Sequence, residues 1–201
     1  MPQRKEIKKN QILAAAMKVF AEKGYHYATV EDIAREAGVA KGSIHAYFEN
    51  KLDVLLSSVL QFWQTVNQHT QQKLSLSSDP AETLKMIFDT FQELLLRDEQ
   101  SLYWGKILRE GLPKVHMIKS QKLKDKQNKI DNERKALMKT IDSVIDKAQA
   151  EGALKSTIKP QVLRQILGGA SQLLVYGLFI HFSQGEGIGY DKDDVRDAMR
   201  M

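Results

Sequence analysis

The sequence predicts an all-α protein of about nine helices, with a three-helix N-terminal domain carrying a helix-turn-helix over residues 1–50 and a larger helical domain over 51–201. Three observations predict it. Apolar residues recur at helical spacing along nearly the whole chain, no apolar/polar alternation runs for long, and only four prolines interrupt 201 residues.

The first helix, Arg4–Lys23, places Ile7, Ile12, Leu13, Ala16, Val19 and Phe20 on one side and ends at Gly24. Thr29 is an N-cap with Asp32 at the third helical position, opening a short helix Val30–Ala37 that Gly38 stops. A third helix is expected over Ala40–Phe48. Asn50 caps a long fourth helix through Leu52, Leu55, Leu56, Val59, Phe62, Trp63 and Val66, and Ser75–Ser78 is a polar break. Asp79-Pro80-Ala81-Glu82 combines an acidic cap, Pro at the first position and Glu at the third, so the next helix starts there and runs to about Arg97. Shorter and longer helices follow over Leu102–Glu110, Lys114–Glu151 and Pro160–Ser183, then a loop at Gly185–Gly189 and a last helix from Asp191.

Composition narrows the function classes. Hydrophobic residues at 42% and charged residues at 27% are ordinary for a globular chain, and a net charge of +5 permits nucleic-acid binding without requiring it. The absence of Cys excludes disulfides and thiolate chemistry and suits a reducing cytoplasm. No apolar segment follows the basic start, so no signal peptide is expected. The most apolar window, Ile166–Phe182, is broken by three glycines and by Ser171, Gln172 and His181, so it reads as a buried helix and no membrane partner is expected. Nothing marks an enzyme. The five His (His26, His45, His69, His116, His181) are scattered, no metal-ligand cluster or phosphate-cradling loop occurs, and Gly185-x-Gly187-x-Gly189 follows a helix rather than a strand. No catalytic residue, metal or cofactor is assigned.

The most specific pattern lies in Val30–Phe48. Two helices crossing at a tight turn need a small residue at the crossing, a residue tolerant of positive φ in the turn, and apolar side chains that lock the angle. Ala34 is the small residue, Gly38 lies four positions later, and Ile33, Ala37, Val39 and Ile44 form the lock.

Gly24-Tyr25, Thr29-Val30-Glu31-Asp32-Ile33-Ala34 and Ala37 through Lys51 together resemble the signature of the TetR family of transcriptional regulators, over roughly the first quarter of the chain. The resemblance implies that Ala40–Phe48 is a recognition helix for the major groove of double-stranded operator DNA. It implies Thr29 at a phosphate, Lys41, Tyr47 and Lys51 on further phosphates, Gly42 at a close backbone approach, and Ser43 on a phosphate or a base edge. Two departures stand out: the family usually has Tyr where this chain has His45, and often a larger polar residue at Ala46. His45 still donates to a phosphate, whereas Ala46 offers only an apolar contact such as a thymine methyl, so DNA shape is expected to carry more of the specificity. The basic residues Arg4, Lys5, Lys8 and Lys9 are candidates for further backbone contacts.

The resemblance further implies a cytoplasmic homodimer that senses a small molecule. Pro160–Ser183 is apolar around most of its circumference, and Leu167, Ala170, Leu174, Leu178 and Phe179 are the expected interface positions. Phe62, Trp63, Val66, Phe88, Phe91, Trp104, Leu108, Met117, Leu173 and Tyr176 are candidates for an apolar effector pocket, with Gln92 and Arg109 as polar contacts; aromatics at this spacing equally form plain core. Residues 114–139 hold nine Lys/Arg against Asp125, Asp131 and Glu133. Their charge suits an acidic amphipath, and the layout resembles the fatty-acid-responsive branch of the family, whose effector is a long-chain fatty acyl-CoA. The alternatives are a sensor of lipophilic drugs or cations, with Glu93 and Glu110 near the aromatics, and a DNA-binding protein with no effector.

Overall fold

The computed structural model describes residues 2–96 and 118–165. Six helices lie there: α1 (Pro2–Tyr27), α2 (Val30–Glu36), α3 (Lys41–His45), α4 (Lys51–Leu74), α5 (Pro80–Leu96) and α6 (Gln121–Ala150). Helical backbone resumes over 160–165, and the described residues contain no strand. The expected helices over 102–110, 166–183 and 191–201 lie outside the described residues. No helix among the described residues is long and apolar enough to cross a membrane.

Local chemistry sets most of the boundaries. Gly24 breaks the helical backbone of α1 at φ 75°, ψ 153°, a left-handed conformation that a Cβ opposes, and one further turn carries the chain to Tyr27. Asp79 caps α5, its Oδ1 accepting from the Ala81 N–H at 2.8 Å and the Glu82 N–H at 3.3 Å. The start of α6 differs from expectation: residues 118–120 are not helical, and the Ser120 carbonyl accepts the first helical bond from the Lys124 N–H at 3.1 Å. Ile118, only 2% exposed, is buried just ahead of that start. Gly152, at φ 80°, closes α6 in a Schellman turn, with Ala153 N–H on the Ala148 carbonyl at 2.9 Å and Gly152 N–H on the Gln149 carbonyl at 3.2 Å.

The described residues form two compact units, 2–63 with 118–131 and 64–96 with 132–165. The first buries Ile12, Ala16 and Phe20 of α1, Ile33 of α2, Ile44 of α3, Val54, Leu56 and Val59 of α4, and Leu123 and Ile130 of α6. In the second, Leu84 packs with Ile145 and Ala148, surrounded by Phe88, Ile141, Val144, Leu154 and Leu163. Arg164 binds the Asp142 carboxylate from Nε at 2.7 Å and Nη2 at 3.4 Å, tying the chain after the α6 turn back onto α6.

Candidate nucleic-acid interface

The geometry of the first unit builds up from α2. Thr29 Oγ1 accepts the Asp32 N–H at 3.1 Å, and the Asp32 carboxylate accepts the Thr29 N–H at 3.1 Å and its hydroxyl at 2.8 Å. Asp32 also accepts from Lys23 Nζ at 2.7 Å and pairs with Arg35. The hydrogen bond from Lys23, followed by that from Thr29, holds the Asp32 carboxyl far below the usual carboxylate range.

The turn then reverses the chain. Val39 N–H donates to the Ala34 carbonyl at 2.9 Å and Gly38 N–H to the Arg35 carbonyl at 3.2 Å, with Gly38 at φ 61°. This Schellman geometry is what the Ala34/Gly38 spacing predicts. Gln11 Nε2 of α1 donates to the Ala37 carbonyl at 2.8 Å and fixes the turn to the helix beneath it.

The third helix is shorter than expected. It covers Lys41–His45, with Ala40 extended before it and Ala46 as its C-cap. Tyr47 N–H and Phe48 N–H both donate to the Ile44 carbonyl, at 3.0 and 2.9 Å, so the last turn tightens instead of continuing. The cause lies just downstream. Asn50 Oδ1 already caps α4 by accepting the Asp53 N–H at 3.0 Å, and buried Phe48 pins the chain between the two helices.

This arrangement turns Ile44 and Phe48 inward and leaves Lys41, Gly42, His45 and Ala46 exposed, with Ser43 and Tyr47 half-buried. Lys41 Nζ is paired with Glu31 of α2, and both side chains are more than half exposed, at 54% and 56%. That pair holds the Glu31 carboxyl below its ordinary value, chiefly through the hydrogen bond from Lys41. An exposed ion pair contributes little and is readily exchanged for another anion. Glu31 was missed in the sequence, where only its suitability for the first turn of a helix is legible.

Lys51 is held differently. Its Nζ donates to the carbonyls of Tyr25 at 2.6 Å, Ala28 at 2.8 Å and His26 at 3.1 Å, and lies 4.5 Å from the centre of the Tyr25 ring. An ammonium has three donors, and all three are used here.

The expected effector and interface residues are only partly within reach. Phe62, Trp63 and Val66 are buried, the first two with ring centres 5.4 Å apart, and Phe88 packs against the Leu84/Ile145/Ala148 cluster. The backbone of Phe91 and Gln92 is helical within α5. Trp104, Leu108, Arg109, Met117, Leu173 and Tyr176, and the interface set Leu167, Ala170, Leu174, Leu178 and Phe179, lie outside the described residues.

A family model described as "Bacterial regulatory proteins, tetR family" matches residues 12–57, a span holding most of α1, all of α2 and α3, and the start of α4. The chain is 28% identical over 160 residues to the fatty acid metabolism regulator protein of Bacillus subtilis, covering 79% of this chain and 77% of that one. It is 36% identical over 83 residues to the transcriptional regulator HbdR of Aromatoleum, covering 41% and 36% of the two chains. Among solved structures, that of the Bacillus subtilis regulator FadR in complex with stearoyl-CoA superposes with a TM-score of 0.72 at 25% identity, covering 94% of each chain. The fatty acid degradation regulator FadR of Bacillus halodurans superposes equally well, at 0.72 and 24% identity, over 96% of this chain and 93% of that one.

Proposed function

We propose that this chain, whose residues 12–57 match the TetR family model and which is similar to regulators of that family, is a cytoplasmic repressor whose α2–turn–α3 element docks on double-stranded operator DNA and is released by a long-chain fatty acyl-CoA. The observation that carries the DNA half is the split of α3 into a buried edge, Ile44 and Phe48, and an exposed face of Lys41, Gly42, His45 and Ala46. In this reading Thr29, Lys41, Ser43, His45 and Tyr47 meet phosphates, Gly42 lets the backbone approach, and Ala46 offers an apolar contact to a base. Lys41 reaches a phosphate by leaving Glu31. Lys51 serves as a positioning residue, because its donors already hold the carbonyls that lead into α2.

A single short helix reads one half-site, so a homodimer through Leu167, Ala170, Leu174, Leu178 and Phe179 completes the unit. The effector half draws on similarity to the Bacillus subtilis regulator whose structure holds stearoyl-CoA. Phe62, Trp63, Val66, Phe88, Phe91 and Gln92, with the candidate positions after residue 97, are proposed to receive the acyl chain. The test is a mobility-shift titration of the operator complex with saturated acyl-CoAs of increasing chain length. Release by long chains and not by short ones is expected, and retention of the complex at every length would overturn the effector assignment.

A further inference from the structure

Within the first unit, a pocket of about 370 Å³ is lined by Lys122, Asp125, Lys126 and Lys129 of α6 over Leu60 of α4. The α6 residues sit at i, i+3, i+4 and i+7, so they form one stripe on one helix face. A lysine stripe is commonly a solvated surface. Four features separate this one.

First, it is concave. Its volume is at the small end of the roughly 300–1,000 Å³ typical of ligand sites, enough for a headgroup fragment rather than a whole amphipath. Second, it has a half-buried apolar floor in Leu60. Third, its cations are graded. Lys126, 18% exposed, is bound to the buried Asp53 carboxylate and donates to Ser57 Oγ at 2.6 Å, whereas Lys122 is 59% exposed and bridges more loosely, to Glu49 at 3.2 Å and to Asp53 at 3.9 Å. Lys129 is exposed and makes no ion pair among the described residues. Fourth, the one lining carboxylate, Asp125, already accepts from Gln121 Nε2 at 2.8 Å.

We infer that this pocket is a phosphate-binding site for the diphosphate headgroup of an acyl-CoA, with Lys122 and Lys129 as its two movable cations and Lys126 as a fixed one. The inference rests on the acyl-CoA reading above but concerns the headgroup alone. It also gives the headgroup a route to the DNA-binding element. Lys122 drawn onto a phosphate leaves Glu49, which it bridges at 3.2 Å, and Glu49 directly follows Phe48 of the recognition turn.

The test titrates the full chain, without DNA, with coenzyme A lacking an acyl group, by isothermal calorimetry. Saturable binding that falls at least tenfold in the Lys122→Gln/Lys129→Gln double variant, and that inorganic pyrophosphate displaces, is expected. Absence of binding to the unsubstituted chain, undiminished binding to the double variant, or failure of pyrophosphate to compete would each overturn it. Should the double variant misfold, Lys129→Gln alone carries the test, because Lys129 supports no contact in the fold described above; a loss of at least threefold is expected, and unchanged binding would overturn the inference. Failure of the effector reading shows separately, as operator DNA retained at every acyl-CoA length whatever coenzyme A itself does.

Discussion

Lys51 Nζ donates to the Tyr25 carbonyl at 2.6 Å and stands 4.5 Å from the centre of the same residue's ring, so one side chain of α4 fixes both the backbone and the ring of the segment that enters α2. Lys51→Met keeps the stem and removes the donors. With charge-assisted hydrogen bonds contributing about 1.5–3 kcal/mol each at most, and these carbonyls partly reachable by water, a loss near 2 kcal/mol is expected in urea unfolding. Operator affinity should fall with it while its salt dependence keeps the same slope, the mark of a residue that positions and does not itself neutralise a phosphate.

Lys41→Ala should show the opposite pattern. Its pair with Glu31 is exposed, so the melting temperature should hardly move, whereas the slope of log affinity against log salt should flatten by about one unit for each site lost. Glu31→Gln releases Lys41 and removes a negative charge, and operator binding should tighten by up to about fivefold, the equivalent of an exposed ion pair. Filter binding over a salt series checks both.

Two glycines give a paired test. Gly38 sits at φ 61° with open space where an added methyl group would stand, so Gly38→Ala meets backbone strain alone and should cost about 1–2 kcal/mol in thermal unfolding. Gly42 has equally open space and no positive φ, so Gly42→Ala should leave stability unchanged or slightly raised. On the proposed docking it should nonetheless weaken operator binding, because the added methyl group would stand where the DNA backbone approaches. Normal operator affinity in Gly42→Ala would remove that residue from the interface.

The Asp53–Lys126 pair is unequal in exposure, 1% against 18%. Lys126→Met leaves the buried carboxylate only the Glu49 N–H and the more distant Lys122, and should cost about 3 kcal/mol. Asp53→Asn should cost less, because the freed ammonium can turn to water and the amide oxygen can still accept the Glu49 N–H. Equal losses in denaturant titrations of the two variants would contradict this ordering.

Acid should reveal Asp32. Its folded pKa is depressed by Lys23 and Thr29, so its contribution is fully present above the unfolded value of about 3.9, declines as pH falls below that value and is gone once pH has fallen through the lower folded one. The stability difference between the native chain and Asp32→Asn should therefore stay flat from neutrality to about pH 4 and shrink below it.

What was legible in the sequence is what is local. Thr29 with Asp32, Asn50 with Asp53, Asp79 with Ala81 and Glu82, and Ala34 with Gly38 lie within four residues of each other, and each boundary they mark is where the spacing put it. The end of α3 was not legible, because Ile44 and Phe48 bury equally well in a helix or in a tightened turn. The start of α6 was hidden because Ser120, its one N-cap signal, stands in a polar stretch with no acidic residue in the first turn. Lys51 looks in sequence like one more cation closing a basic motif, since its acceptors lie 23 to 26 residues upstream. The partners Asp53 and Lys126 are 73 residues apart, beyond any periodicity. For Phe62, Trp63 and Val66, burial is common to a core and to a pocket, so those side chains look alike in both readings.

The five-residue length of α3 has a consequence for how operator preference can change. A helix this short does not hold its shape alone, so its order is supplied from outside by Ile44, Phe48 and the capped start of α4. His45 and Ala46, facing outward, carry none of that duty. On the proposed docking, mutational drift at these two positions would therefore retarget the protein to new operators without eroding its fold, and a randomised library confined to them should yield mostly folded regulators of altered preference.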